Sequence, residues 1–234
     1  MSRVVKDYAV RRNEILDVAQ RLMTTRGYEQ MTVQDILDEL GISKGAFYHY
    51  FSSKQELLEA IIERLLDMSE QMLAPIVSDP ALTALEKFER FFTSISDWKT
   101  ARRGFVLALL KVWYQDANAI VRSKLRLTLI QRIQPLLAAI IHQGILEDVM
   151  TCSQPDEASE VALQLIYNLS DKVGLLMLSY HPGIDDLQVF AGYITAYTEA
   201  LERVLGASAG SLSLFNVDLM NEWITSLEEY LEVV

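Results

Sequence analysis

One short stretch of the sequence combines a cation, a residue without a side chain, a phenol and an imidazole. Lys44, Gly45, Tyr48 and His49 recur at i, i+1, i+4 and i+5, a spacing that places them on one face of an α-helix. Lysine suits a phosphate or a guanine, glycine permits close approach of a backbone, and tyrosine and histidine bond to phosphates or base edges. This face predicts contact with DNA, although an exposed face of this composition is also typical of ordinary solvated surface.

The elements that would position this face are two short helices. Thr32 begins the first and has Asp35 three residues later, a pair typical of a capping box. Gly41 ends this helix, and Ser43 caps the second, which we expect over residues 44–50. Two short helices joined by a tight turn containing glycine have the outline of a helix-turn-helix.

The opposite side of the second helix and the chain after it complete the unit. We assign Phe47 and Phe51 to the core, packed against Ile36 of the first short helix. The run from Ser53 to Glu56 has the pattern of a capping box and opens a long helix that we expect to end at about residue 74.

Residues 11–62 resemble the N-terminal domain of the tetracycline-repressor (TetR/AcrR) family of bacterial transcription regulators. Four stretches carry the resemblance: Thr32-Val-Gln-Asp-Ile36, Gly41-Ile-Ser-Lys-Gly-Ala-Phe-Tyr-His-Tyr-Phe51, Ser53-Lys-Gln-Glu-Leu-Leu58, and Ile15-Leu-Asp-Val-Ala-Gln-Arg-Leu22 with Gly27-Tyr28. The sequence departs from many relatives at Asp38-Glu39, which is acidic where they have small residues.

The resemblance implies DNA contacts at nine positions. Thr32 and Gln34 would touch the phosphate backbone; Ser43, Lys44, Gly45 and Ala46 would enter the major groove; Tyr48 and His49 would meet phosphates or base edges; and Lys54 would hold a phosphate. For Thr32 and Ser53 the alternative is helix capping alone, and both roles can coexist.

The remainder of the sequence also reads as helices, because apolar residues recur at helical spacing and no run alternates as a strand would. We predict an all-α fold of nine or ten helices, the last over residues 214–231. A three-helix, helix-turn-helix DNA-binding domain would span residues 1–52. A larger helical bundle for effector binding and dimerisation would span residues 53–234.

Two helices in this bundle, at about 156–180 and 185–205, are apolar on two sides and therefore need two burial partners. One partner is the domain's own core, and the other is predicted to be the same helix pair of a second subunit. The resemblance implies the same homodimer, which would place two recognition helices about one DNA turn (~34 Å) apart on a palindromic site. The interface residues predicted are Val161, Leu165, Leu169, Phe190, Ile194, Tyr197 and Leu201.

An effector pocket is predicted from the aromatic residues of the bundle. Trp113, Tyr114 and Tyr167 are its candidate lining residues, although most such residues fill cores. We expect an unidentified, largely apolar small molecule. The stretch 87–132 carries ten Lys or Arg and three Asp or Glu. This stretch predicts surface or interdomain ion pairs, with an anionic effector as the alternative.

Composition excludes several other classes. The chain has one cysteine, Cys152, and three separated histidines, so we predict no disulfide, no metal site and no cofactor. No nucleophile–base pair, acid dyad or phosphate-binding glycine loop indicates an enzyme. The charged N-terminus and the longest apolar run, at 135–141, predict a cytoplasmic protein without a membrane span.

These expectations combine into one function and one alternative. The function is a homodimeric, ligand-responsive transcriptional regulator, a repressor that binds a palindromic DNA operator and is released by a small molecule. A net charge of −11 argues against indiscriminate nucleic-acid binding but permits a local DNA-reading segment. The alternative is a ligand-independent DNA-binding protein whose C-terminal domain binds a protein partner.

Overall fold

Every regular element in the part of the chain that the structure describes is a helix, which confirms the predicted fold class. The structure is a computed structural model and describes residues 7–181, 187–214 and Trp223. The nine α-helices in these residues are α1 (Tyr8–Arg26), α2 (Val33–Leu40), α3 (Lys44–Tyr48), α4 (Lys54–Ser78), α5 (Ala84–Ala101), α6 (Arg103–Trp113), α7 (Ala119–Leu146), α8 (Pro155–Leu178) and α9 (Leu187–Leu205). The predicted last helix lies outside the described residues except at Leu214 and Trp223.

The chain forms two compact units. The first comprises Met1–Leu66 with Gly104–Val121, and the second comprises Asp67–Arg103 with Arg122–Val234. The boundary falls inside α4, so the first half of that helix packs with the helix-turn-helix. The predicted division at residues 52 and 53 assigned all of α4 to the C-terminal domain, and that division stays a prediction.

In the first unit, local capping sets the helix starts that the sequence predicted. Asp35 and Thr32 form a reciprocal capping box at α2, and Ser43 caps α3 by accepting from the Ala46 amide. Gly41 ends α2 in the left-handed conformation, at φ 61°. The core of this unit is apolar; its fully buried side chains include Ile15, Leu16, Ile36, Phe47, Phe51, Leu57 and Ile61.

In the second unit, α5 begins at a capping box that the sequence analysis missed. Thr83 and Glu86 satisfy each other's backbone amides at this start, three residues after Pro80. Pro155 occupies the first turn of α8, where its missing N–H costs little. The core of this unit is built from α5, α7, α8 and α9 and includes Phe88, Phe91, Leu137, Ile140, Ile141, Leu201 and Leu205.

Helix α4 is longer than predicted. The sequence predicted an end at about residue 74, but the helix continues through Pro75 to Ser78. Proline removes one backbone hydrogen bond, and at this position only the final turn lies beyond it, so the cost is confined to the helix end.

The basic stretch 87–132 uses its cations in different ways within the second unit. Arg132 pairs with Asp67 at 2.8 Å and also with Glu70, as the ion-pair prediction requires. Lys87 is buried and instead donates to the Val77 carbonyl at 2.7 Å. The stretch therefore contains both a cation paired with carboxylates and a cation held by a backbone carbonyl.

Candidate nucleic-acid interface

The second helix of the pair, α3, is short and is fixed at both ends by hydrogen bonds that backbone amides donate. At its start, the Ala46 amide donates to the Ser43 side chain at 3.2 Å. At its end, the Tyr50 and Phe51 amides both donate to the Phe47 carbonyl, at 2.8 and 3.1 Å. Phe47 itself is completely buried, so one side of α3 is anchored to the core and the other faces outward.

The outward side of α3 carries the four residues selected by their spacing. Lys44, Gly45, Tyr48 and His49 are all exposed. Tyr48 is 46% exposed, which is unusual for a ring beside a packed core. The Lys44 ammonium lies 5.9 Å from the centre of that ring. The structure therefore brings these four residues onto one accessible face.

Gly45 is not required by the packing of this chain. A Cβ placed on Gly45 would meet no atom within 4 Å, and its backbone does not adopt a positive φ. Neither sterics nor backbone conformation explains a glycine in the first turn of a helix. The remaining explanation for a glycine here is the open space above it, which a phosphate or the backbone of another molecule can enter. Ala46 beside it is half-buried and contributes less surface.

Thr32 and Gln34, the two predicted contacts on α2, are exposed but already hydrogen-bonded. The Thr32 hydroxyl accepts from the Asp35 amide at 3.1 Å and donates to the Asp35 carboxylate at 2.7 Å. The Asp35 carboxylate thus accepts from the Thr32 hydroxyl and also from the Thr32 amide, at 2.8 Å, and these two bonds lower the pKa of Asp35. Gln34 donates its amide to Asp38 at 2.6 Å. Both donors would have to exchange partners to reach a phosphate, so capping is the role the geometry gives Thr32.

Lys54 lies where the sequence analysis did not expect it. Its ammonium is 4.2 Å from the centre of the Tyr28 ring and donates to the Glu29 carbonyl at 3.3 Å. Burial lowers the pKa of Lys54, with Glu29 opposing the shift. Burial also raises the pKa of Tyr28 to about 12. Lys54 thus ties the loop after α1 to the start of α4, and its predicted phosphate contact stays a prediction.

The cap at the start of α4 differs in one partner from the predicted box. Ser53 accepts from the Glu56 amide at 3.0 Å, as expected. The Glu56 carboxylate instead accepts from the Ser52 hydroxyl and from the Ser52 amide, the latter at 2.7 Å, and these two bonds lower the pKa of Glu56. Both serines are therefore engaged in capping.

The three candidate effector-binding residues do not fall in one unit. Trp113 and Tyr114 lie at the end of α6 in the first unit and just after it, whereas Tyr167 lies on α8 in the second. The Arg126 guanidinium is 4.6 Å from the centre of the Tyr167 ring and also donates to Gln164. Burial raises the pKa of Tyr167. A single pocket lined by all three residues stays a prediction.

Four of the seven predicted interface residues belong to the chain's own core. Leu169, Phe190, Ile194 and Leu201 are at most 7% exposed within a single chain. Helices α8 and α9 pack against each other and turn these side chains inward, so they offer no surface to a second subunit. That part of the prediction is corrected. Leu165 and Tyr197 are half-buried, and Val161 is 48% exposed.

Two apolar residues on α8 and α9 that sequence reasoning missed are exposed instead. Leu175 and Val189 are 48% and 47% exposed. Leu175 follows Val161 by fourteen residues, four helical turns, and therefore lies on the same side of α8. The sequence spacing of Val161 and Leu175 could have predicted a shared face. It was missed because α8 has a second apolar side.

The sequence comparisons agree with this arrangement. Residues 15–61 match the family described as "Bacterial regulatory proteins, tetR family". The HTH-type transcriptional repressor KstR2 of Mycobacterium tuberculosis is 28% identical over 188 residues, covering 78% of this chain and 88% of that protein. The HTH-type transcriptional regulator EthR of Mycolicibacterium smegmatis is 34% identical over 95 residues, covering 38% of this chain and 44% of that protein.

Solved structures share the fold at low sequence identity. A TetR transcription regulator from Haloarcula marismortui superposes with a TM-score of 0.62 at 18% identity, covering 85% of this chain and 98% of that one. A transcriptional regulator from Cytophaga hutchinsonii gives a TM-score of 0.61 at 19% identity, covering 86% of this chain and 96% of that one.

The matched segment, 15–61, contains the capped helix pair and the exposed α3 face, and the similarity to KstR2 extends over most of the chain. Both comparisons indicate transcription control rather than catalysis. Residues 15–61 match the TetR family of bacterial regulatory proteins, most of the chain is similar to a transcriptional repressor, and both similarities support a DNA-binding transcription regulator.

Proposed function

We propose that the protein is a homodimeric repressor that binds a palindromic operator through α3 and is released by a small molecule. The observation that carries the proposal is the exposed face of Lys44, Gly45, Tyr48 and His49 on a helix whose other side is buried. A glycine with open space above it suits close approach of a phosphate, and the lysine beside it supplies the charge. The repressor name of the KstR2 relative supports the direction of regulation.

A two-fold dimer through α8 and α9 is the second part of the proposal. Apolar surface is exposed on this helix pair at Val161, Leu175 and Val189. Another helix can approach α9 closely at two small exposed residues, Gly192 and Ala196. Apolar surface on helices that already have a packed side is typical of subunit interfaces. By length and composition α8 is also apolar enough to cross a membrane. A helix that is buried by its own core on one side and by a partner subunit on the other is as apolar as a membrane-spanning helix. The composition of α8 therefore fits the proposed dimer.

Release by an effector requires the ligand to bind two states of the protein with different affinity. Helix α4 contributes residues to both compact units. A ligand that shifts this helix would therefore change the operator affinity. A coupling free energy of roughly 1–3 kcal/mol is sufficient for such control. We keep a cytoplasmic location and a largely apolar effector as parts of this proposal.

The alternative, a regulator without a small-molecule ligand, makes a different prediction for purified protein. A ligand-independent regulator would hold its operator until a protein partner removes it. Screening metabolite extracts separates the two, because fractions freed of protein should still release the operator if the effector is a small molecule.

The operator itself is tested by selecting fragments of the source genome with purified protein and sequencing them. Enrichment of a palindromic site is expected, with half-sites whose centres lie about one helical turn (10–10.5 bp) apart or a multiple of it. The Lys44→Ala/Tyr48→Ala variant is the matched control and should enrich nothing above background. Equal enrichment by this variant would contradict the assignment of α3. A non-palindromic site would contradict the two-fold dimer.

A further inference from the structure

The end of α5 carries an indole and two cations, and none of the described residues supplies a carboxylate to either cation. Trp98, Lys99 and Arg102 lie within five consecutive positions of the second unit, at the last turn of the helix and its cap. The Arg102 guanidinium lies 4.9 Å from the centre of the Trp98 ring. We call these three residues the α5 end cluster.

The indole N–H of Trp98 is buried and has no acceptor in the part of the chain that the structure describes. A buried donor without an acceptor costs free energy, so such donors are usually paired. The other indole at this end of α5 is satisfied, because Trp223 donates to the Thr100 hydroxyl oxygen at 3.0 Å. Trp98 is therefore the indole that can donate to a ligand.

Lys99 is half-buried, and burial lowers the pKa of its ammonium group. No carboxylate among residues 7–181 and 187–214 opposes this shift, whereas Glu29 opposes the corresponding shift at Lys54. The acid nearest in the sequence, Asp97, lies about 200° around the helix from Lys99. The dipole at a helix end favours an exposed cation such as Arg102, but it does not explain a cation that is removed from water. An anion bound beside Lys99 would offset the cost of that burial.

The α5 end cluster continues two lines of buried phenylalanines along the helix. Trp98 follows Phe91 by seven positions and Lys99 follows Phe92 by seven, so each lies within about 20° of the earlier ring around the helix axis. Phe91 and Phe92 are buried, and their ring centres are 5.2 Å apart. The indole and the ammonium group therefore lie on the side of α5 that faces the apolar core of the second unit.

We propose that Trp98, Lys99 and Arg102 bind the anionic group of the effector, and that the effector is an apolar organic acid. This inference rests on the proposed function, in which a small molecule releases the operator. The Lys99 ammonium and the Trp98 N–H donate to oxygens of the anion, and the Arg102 guanidinium adds a second positive charge. An anionic effector was the alternative interpretation of the stretch 87–132, and the cluster gives that anion a position.

The first test compares two dyes that differ in one anionic group, anilinonaphthalene sulfonate and the uncharged N-phenylnaphthylamine. Fluorescence titration of the full chain should show saturable binding of the sulfonate dye. Lys99→Met should weaken this binding at least about tenfold and change the affinity for the uncharged dye less than about twofold, because only the sulfonate pairs with the ammonium. Trp98→Phe keeps an aromatic ring and should weaken sulfonate binding by about threefold, since a neutral donor contributes less than a charged one.

Arg90→Ala is the matched control for the loss of a cation. Arg90 is exposed and lies nine positions before Lys99, on the opposite side of α5, so this variant should bind both dyes as the wild type does. Equal loss of both dyes in Lys99→Met would indicate a change in packing and would overturn the inference. A wild type without saturable sulfonate binding, or a Lys99→Met variant with wild-type affinity for the sulfonate dye, would also overturn it.

The second test connects the cluster to operator release with decanoate and decanol, which have the same chain length and differ in charge. Decanoate should release the operator from the wild type, and decanol at the same concentration should not. Lys99→Met should need at least about tenfold more decanoate for half-release, relative to its own affinity without decanoate. If decanoate displaces the sulfonate dye but leaves the operator bound, the cluster is not the effector site. A wild type that binds no operator but binds the dye through Lys99 would instead refute the proposed function and leave the anion site in place.

Discussion

The helix-turn-helix of the first unit and the α8–α9 pair of the second differ in how clearly the sequence shows which helix face is buried. In α3 the apolar residues occupy one side and the polar residues the other, so the accessible face is unambiguous. In α8 and α9 both sides are apolar, and the sequence does not say which faces the core. Four residues assigned to a subunit interface, Leu169, Phe190, Ile194 and Leu201, are core residues. Amphipathicity therefore locates a functional face only when the helix has a single buried side.

The largest expected effect comes from removing the α3 side chains. Lys44→Ala/Tyr48→Ala should lower operator affinity by at least about 100-fold, because each contact of this kind contributes roughly 1–3 kcal/mol and occurs twice in a dimer. Both residues are exposed, so far-ultraviolet circular dichroism and the melting temperature should stay unchanged. Affinity is measured by fluorescence anisotropy with a labelled operator, and wild-type affinity would remove the basis for assigning DNA reading to α3.

The α8–α9 side of the comparison is tested by charge insertion. Val161→Glu/Leu175→Glu should convert the dimer to monomers in light scattering, because two carboxylates per subunit would be buried without partners at the interface. Leu146→Glu is the matched control, since Leu146 is 85% exposed at the end of α7 and its replacement should leave the dimer intact. A dimer that survives the double substitution would move the interface to another surface.

A smaller effect separates capping from DNA contact at Thr32. Thr32→Ala removes the two hydrogen bonds between the Thr32 side chain and Asp35 and should lower the free energy of unfolding by about 1 kcal/mol, measured in urea. Its operator affinity should fall less than fivefold when measured well below the unfolding midpoint. A large loss of operator affinity with unchanged stability would contradict the capping role and would show that Thr32 contacts a phosphate.

The smallest expected effect concerns Lys99, near the end of α5. Burial lowers the pKa of Lys99 below its ordinary value, so the unfolded chain binds more protons than the folded one between the two pKa values. Stability should therefore rise with pH in that window and level off above about 10.4. Lys99→Met should stabilise the protein by about 1 kcal/mol at pH 7 and by less as the pH approaches 10. A gain that does not vary with pH would mean that Lys99 is not desolvated in the folded state.

Features of the structure that depend on residues close in the sequence were predicted, whereas features that depend on distant residues were not. Caps at Thr32, Ser43 and Ser53 are settled by residues three positions apart, and each was predicted. The α3 face follows from helical periodicity. The contacts of Lys54 with Glu29 and Tyr28 were not predicted, because the loop after α1 brings these residues to it from 25 and 26 positions away and no local pattern encodes that.

A contact between two aromatic rings at the candidate site illustrates the same limit. Tyr8 and His49 are 41 positions apart in the sequence, and only the packing of α1 beside the helix pair brings their rings together. The effector pocket was least predictable, because aromatic residues that fill a core and those that line a cavity share the same periodicity. Phe88, Phe91 and Phe92, for example, are core residues.

The most direct test of the central claim is a single added methyl group at Gly45. Alanine should fit without a clash and should stabilise α3, by up to about 1 kcal/mol, because glycine is the weaker helix former. If a DNA backbone approaches this point, Gly45→Ala should raise the melting temperature or leave it unchanged while lowering operator affinity at least tenfold. Equal operator affinity of Gly45→Ala and the wild type would contradict the claim that this face of α3 lies against DNA.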